Sequence, residues 1–305
     1  MPLLINDGFH LRSSLEELHV RCLPQATTLV QDDLRTLRIG IINLMPQAET
    51  YEFNLLLSLG RTQLQVEPVW IRLKSHGYRT SDERNLSRRY LTFGEATSRY
   101  YLDGLILTGA PVEEMPFEEV NYWQELREIL DFARANIAST LGICWGAMAL
   151  ARLIGIEKVK FERKLFGVFE TRNLKGSHPL MSETDDLFWC PQSRFAGFED
   201  ERLELEEEKG KINLLAHSEE AGYVIFETTD HRFLMHLGHP EYNSRRLVEE
   251  SLRDRGLNRT DVGPPKNFDV ARPVNCWRGH RATFFSRWIN YLYETTSYIY
   301  ATDRA

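Results

Sequence analysis

Apolar positions along the chain alternate between short β-branched runs and longer stretches of helical spacing. LRIGIINL (37–44) is a continuous apolar run ended by Met45-Pro46, the pattern of a strand buried on both faces. A helix is predicted across Thr50–Leu59. VEPVWIRL (66–73) and DGLILTGAP (103–111) read as further strands, the second stopped by Thr108-Gly109-Ala110-Pro111, with a polar stretch over Lys74–Arg89 between them. FEEVNYWQELREILDFARAN (117–136) carries apolar residues at helical spacing and acids in its first turn, where the helix dipole favours them. STLGI (139–143) is a short strand, and WGAMALARLIGI (145–156) fits only a mostly buried helix.

Strand, helix, strand, helix in this order predicts an α/β fold with a mainly parallel sheet flanked by helices. The second half continues with KVKFERKLFGVFETRNL, INLLAHS, GYVIFETT and FLMHLGHP as candidate strands, and helices over 244–255 and 281–293 close the chain. The acidic run EDERLELEEEKGK (199–211) is expected to be a solvated hairpin or loop. Residues 1–36 have weak periodicity and read as an N-terminal arm, with an ordered edge element equally compatible, and 37–305 as one domain.

Composition narrows the function classes. The 305 residues are 42% hydrophobic, ample for a core. A net charge of −7 argues against general attraction to nucleic acid or an anionic membrane surface. The N-terminus lacks a signal-peptide core and no stretch approaches a membrane span, so a cytoplasmic protein is expected. Cys22, Cys144, Cys190 and Cys276 lie far apart with no CxxC spacing, which suggests neither a metal site nor a disulfide framework.

One cysteine stands in a distinctive context. In Gly142-Ile143-Cys144-Trp145-Gly146 a thiol sits between glycines at a turn from strand to helix, the arrangement of a nucleophile elbow. The helix N-terminus then points at the sulfur and favours thiolate. The Trp145 N–H becomes an oxyanion-hole candidate. A buried core cysteine is the competing reading.

Gly238-His239-Pro240-Glu241 supplies what such a thiol needs. His239, at a strand end, can act as a neutral base, and Glu241 can hold its tautomer. His236 is the competing base, but its place inside an apolar run favours packing.

Cys, His and Glu in this order, with an elbow on a parallel sheet, resemble the class I glutamine amidotransferase-like (flavodoxin-like) fold. NLMP (43–46), TGAP (108–111), STLGICWGAMA (139–149), KLFGVFE (164–170), PQSRFAGF (191–198), GHPEY (238–242) and the terminal CWRGH segment narrow the resemblance to the homoserine O-acyltransferases of methionine biosynthesis, over about Leu37 to Tyr300. That resemblance implies a ping-pong transfer from acyl-CoA through a thioester on Cys144, with His239 as base and Glu241 as its orienter. It also implies substrate contacts at Lys164, Ser193 and Arg253, no cofactor beyond the acyl-CoA co-substrate, and a homodimer. The second residue after the TGAP proline is a donor selector in the family: glycine admits a succinyl carboxylate and glutamate excludes it. Glu113 therefore implies acetyl-CoA.

The chain departs from the family pattern in two places. Gln47-Ala48 stands where lysines follow NLMP, which leaves serine or another amino alcohol open as acceptor, and the elbow carries a second glycine. A glutamine amidohydrolase is the remote alternative, since Met148 stands where those enzymes usually carry glutamine.

Overall fold

The computed structural model describes residues 2–24, 35–46, 48–78, 86 and 88–296. Gln47, part of the N-terminal arm, part of the polar stretch before Tyr90 and the chain beyond 296 lie outside the described residues.

The apolar runs form the strands expected of them, and Leu3–Leu4, Cys22–Leu23, Leu91–Thr92 and Leu187–Gly197 add strands that the pattern does not predict. β1 (Leu3–Leu4), β2 (Cys22–Leu23), β3 (Thr36–Ile42), β4 (Gln65–Arg72), β5 (Leu91–Thr92), β6 (Gly104–Leu107) and β7 (Ser139–Ile143) all pair in parallel. β8 (Val159–Asn173), β9 (Leu187–Gly197), β10 (Ile212–Ser218) and β11 (Gly222–Thr228) are antiparallel to their neighbours, and β12 (Phe233–His236) joins the two halves by pairing parallel to β7 and antiparallel to β11. The sheet runs β2-β1-β4-β3-β6-β7-β12-β11-β10-β8-β9, with β5 beside β4. The fold is α/β with a mostly parallel mixed sheet, as the strand-helix alternation predicts.

Successive strand residues feed opposite faces. Ile39, Ile41, Leu141 and Ile143 pack with α1 (Arg12–Glu17), α2 (Ala48–Leu59) and α8 (Arg278–Thr295), through Leu15, Leu55, Leu59, Phe284 and Trp288. Leu105, Leu107, Phe233 and Met235 pack instead with α4 (Trp123–Asn136) and α5 (Trp145–Leu153). Both faces are covered, which is why the central strands show no polar alternation. α3 (Phe93–Arg99) has a capping box between Thr92 and Glu95.

The acidic run departs from expectation: Asp200–Glu208 is a helix, α6. Asp200 and Glu201 suit its first turn, and the buried Glu206 is gathered by Arg202, Lys209 and Lys211. The described part of the arm, residues 2–24, supplies β1, α1 and β2 at the edge of the sheet, as the edge-element reading allows.

β3 leads outward to β4, whereas β6 leads the other way to β7, so the order reverses between β3 and β6. In open parallel sheets that reversal opens a crevice at the carboxyl ends of the strands. α7 (Ser244–Gly256), which follows β12, closes one side of that crevice, and β8 with β9 forms another. No helix among the described residues is long and apolar enough to cross a membrane.

Candidate active site

The crevice is a cleft of about 450 Å³, and Cys144 and His239 both line it. Cys144 directly follows β7 with φ 52° and ψ −112°, a conformation L-residues rarely adopt. The surrounding glycines permit it. A Cβ on Gly146 would come within 2.3 Å of the Leu107 carbonyl oxygen, and one on Gly142 within 2.6 Å of Gly146 backbone. The Cys144 N–H donates to the His236 carbonyl at 2.8 Å, which ties the elbow to β12.

Trp145 is the first residue of α5, so its N–H lacks an intrahelical acceptor. Its indole is fully buried against Phe117 and Tyr122, fixing that end of the helix.

His239 is anchored by its N–H to the Pro191 carbonyl at 2.8 Å and stacks on Tyr242 at 4.1 Å. Its Nδ1 is 2.8 Å from Glu241 Oε1, and the ring is hydrogen-bonded to the Cys144 side chain. Burial pulls the imidazole pKa down, but the charges of Cys144 and Glu241 outweigh burial and raise it to about 10. The surroundings of His239 thus favour its protonated form as long as Cys144 and Glu241 carry their charges. A methyl on Gly109 would stand 3.5 Å from Cys144 Cβ and 3.6 Å from His239 Cε1, so the loop after β6 passes over both groups.

The remaining sequence candidates divide by environment. Lys164, on β8, donates to Asp254 Oδ2 at 2.7 Å, with Glu250 Oε2 3.8 Å away. Ser193, on β9, donates to that same Glu250 oxygen at 2.5 Å. Arg253 lines the cleft with its guanidinium half-exposed and held to Asp254 Oδ1 at 2.8 Å. Glu113 is half-buried in the cleft wall, and burial raises its carboxyl pKa against the pull of Lys164 and His239. Glu114 turns to the rim, paired with Lys160 and Arg259 at 2.9 and 3.2 Å. His236 does not line the cleft. It is fully buried, hydrogen-bonded to His280 and edge-on to Phe284, and burial holds its pKa well below the usual range.

The structure adds residues the sequence does not announce. Glu250 is the hub, receiving Ser193, Tyr242 at 3.0 Å and Arg246 at 3.2 Å. Burial would raise its pKa, but Lys164, Arg246 and His239 bring it to about 2. The spacing Arg246, Glu250, Arg253, Asp254 puts all four on one face of α7, a pattern visible in the sequence, but nothing there says that this polar face turns inward. Tyr51, at the start of α2, donates to Glu241 Oε1 at 2.6 Å.

Two further clusters bring metal-ligating side chains together among the described residues: Cys190, His236 and His280, and His178, Glu227 and His231. Hydrogen bonds link members of each cluster, while Nδ1 of His236, Nδ1 of His280 and Oε2 of Glu227 are buried without a partner. His236 and His280 meet through their Nε2 atoms at 3.2 Å. His178 accepts the Leu180 N–H on Nδ1, so its Nε2 carries the proton donated to Glu227.

Comparison with known proteins gives a consistent picture. The profile of a family described as homoserine O-succinyltransferase matches residues 2–298. The chain is 40% identical to the homoserine O-acetyltransferase of Acetivibrio thermocellus over 98% of each sequence, and 36% identical to that of Bacillus subtilis over 98% and 99%. Among solved structures, a glutamine amidotransferase from Thermotoga maritima matches with a TM-score of 0.54 at 12% identity, covering 84% of this chain and 98% of that one. The glutaminase domain of Trypanosoma brucei CTPS with bound acivicin matches with a TM-score of 0.53 at 11% identity, over 87% and 96%. These structural likenesses concern the fold alone.

Proposed function

Because the chain belongs to the homoserine O-succinyltransferase family, we propose that it transfers an acyl group from acyl-CoA to the side-chain hydroxyl of homoserine, with acetyl-CoA as the donor, in methionine biosynthesis. The observation that carries this reading is the meeting of Cys144, His239 and Glu241 with Lys164, Ser193 and Arg253 around one cleft.

In the first half-reaction the Cys144 thiolate attacks the thioester carbonyl carbon, and the oxyanion forms opposite the Trp145 N–H. The carbon–sulfur bond to coenzyme A breaks, and the departing thiolate takes the proton that His239 already holds. The acyl group remains on Cys144 as a thioester of similar energy to the donor. His239 is now neutral. In the second half-reaction it accepts the homoserine hydroxyl proton as that oxygen attacks the acyl carbon, and the Cys144 thiolate leaves. Thiolate and imidazolium are both restored. Arg253 offers its exposed guanidinium to the amino-acid carboxylate, and Ser193 and Lys164 line the space beside the acyl carbon.

The test is a panel of acetyl-CoA and succinyl-CoA, each with homoserine, serine or water, followed by release of free thiol. Homoserine with acetyl-CoA is expected to be fastest. Faster transfer to serine would move the acceptor to the alternative left open by Gln47-Ala48. Acetyl-CoA without acceptor should add one acetyl mass to the peptide containing Cys144, and Cys144→Ala should lose transfer by at least ~10³-fold while keeping its melting temperature within a few degrees. Turnover retained in that variant overturns the covalent route.

A further inference from the structure

Glu241 is reached from two sides, and only one of them belongs to the catalytic segment. His239 Nδ1 lies 2.8 Å from Oε1, and the Tyr51 hydroxyl, from α2, lies 2.6 Å from the same oxygen. The second carboxylate oxygen, Oε2, is buried and has no hydrogen-bond partner. Both fixed contacts therefore fall on Oε1, and the orientation of the carboxylate depends on them.

Tyr51 is itself 2% exposed. Burial and the charge of Glu241 raise its pKa well above the usual tyrosine range, so it remains a donor throughout the working range. Its helix is fixed by neighbouring contacts. Asn54, one turn on, accepts a hydrogen bond from Asn243, two residues past Glu241. Glu52 receives Tyr90 at 2.7 Å.

We infer that Tyr51 is a positioning residue of the reaction, its hydroxyl fixing the Glu241 oxygen that orients His239. The inference rests on the acyl-transfer reading above. The hydroxyl also draws charge from Oε1, which tempers the pull of Glu241 on the imidazolium. In the acyl-enzyme Cys144 no longer carries its negative charge, and His239 must lose its proton to serve as base. Removing the Tyr51 donor leaves more charge on Oε1, favours the imidazolium, and moves that loss to higher pH. Other groups face the pair: Cys144 at the start of α5, His236 on β12, Cys190 on β9, Arg281 on α8, and Tyr242, Glu113 and Glu250 in the cleft. Tyr51→Phe alters none of them.

The experiment compares wild type, Tyr51→Phe, Glu241→Gln and the double variant with acetyl-CoA and homoserine across pH. Tyr51→Phe is expected to lower kcat about ten-fold with KM for homoserine within about two-fold, since phenylalanine keeps the ring but removes a charge-assisted hydrogen bond. The acidic limb of its kcat/KM profile for homoserine should move to higher pH by about half a unit or more. In the Glu241→Gln background the same change should have little further effect, because the interaction partner is already lost. An unmoved acidic limb, or full additivity in the double variant, overturns the inference and leaves Tyr51 a packing residue. If wild type transfers no acyl group to any acceptor, the failure lies with the proposed function instead.

Discussion

At the scale of single residues, the proposed choice of donor rests on the charge of the cleft wall. Glu113 and Glu114 are adjacent in sequence and opposite in environment. Glu114 spends its charge on Lys160 and Arg259 at the rim, whereas Glu113 is half-buried in the wall with its pKa raised by burial. A donor with a second carboxylate, such as succinyl-CoA, would bring like charge to this wall, and two poorly solvated carboxylates repel by several kcal/mol unless one is protonated or paired. Rejection of this kind discriminates without improving contacts to the smaller acyl group. Glu113→Gly is therefore expected to raise kcat/KM for succinyl-CoA relative to acetyl-CoA by at least ~10-fold, measured by thiol release with homoserine as acceptor. Wild type that already prefers succinyl-CoA would contradict the acetyl assignment.

At the scale of elements, α7 shows why part of the site was legible and part was not. The elbow and GHPEY could be read because each needs particular residues within a few positions: glycines at Gly142 and Gly146, and a carboxylate two residues after His239. Glu250 could not, because a polar stripe on a helix ordinarily faces water, and only the packing of α7 over the crevice turns this one inward. α6 misleads for a related reason: few of its side chains are buried, so its periodicity is faint, and its buried Glu206 is held by cations from its own helix and the following turn. Strand β9 was visible only as a motif, since its Ser193 and Arg194 interrupt the apolar pattern yet are buried. The network around Glu250 has a measurable sign. Its folded pKa lies near 2, below the ordinary 4.5, so its contribution to stability is present above about pH 4.5 and is lost as pH falls toward 2. Glu250→Gln cannot titrate. The stability of wild type relative to this variant should fall by roughly 3 kcal/mol on acidification through that window, as followed by denaturant unfolding at a series of pH values. A difference that stays constant from pH 6 to pH 3 would show that Lys164 and Arg246 do not hold Glu250 charged.

At the scale of the whole molecule, the sheet is built outward from a parallel centre that places the site, and its two ends are finished differently. Beyond β12 the long hairpin of β8 and β9 brings Lys164 and Ser193 to the cleft, so that end forms part of its wall. At the other end β1 and β2 cover the edge of β4, with Leu3, Leu15, Val20 and Cys22 buried against the rest of the protein. Val20 and Leu3 pack close on Gly60, just past the end of α2, the helix that begins near Tyr51. The arm is thus linked through α2 to the carboxylate of Glu241, which contacts His239. Removing residues 2–24 would leave the start of β4, where Leu3 pairs with Val66, without its neighbour, and would expose the side of α2 that Leu3 and Val20 cover. The truncated protein is expected to melt at least ~10 °C lower and to form soluble aggregates seen by light scattering. Its remaining monomer should still acquire an acetyl group on Cys144, because the elbow is built from β7, β12 and α5 and does not use the arm. Transfer to homoserine should fall further than acylation does, since the second half-reaction needs a neutral and well-oriented His239. A monomer that melts with the wild type and loses both half-reactions equally would mean that the arm contributes to the cleft directly rather than through α2.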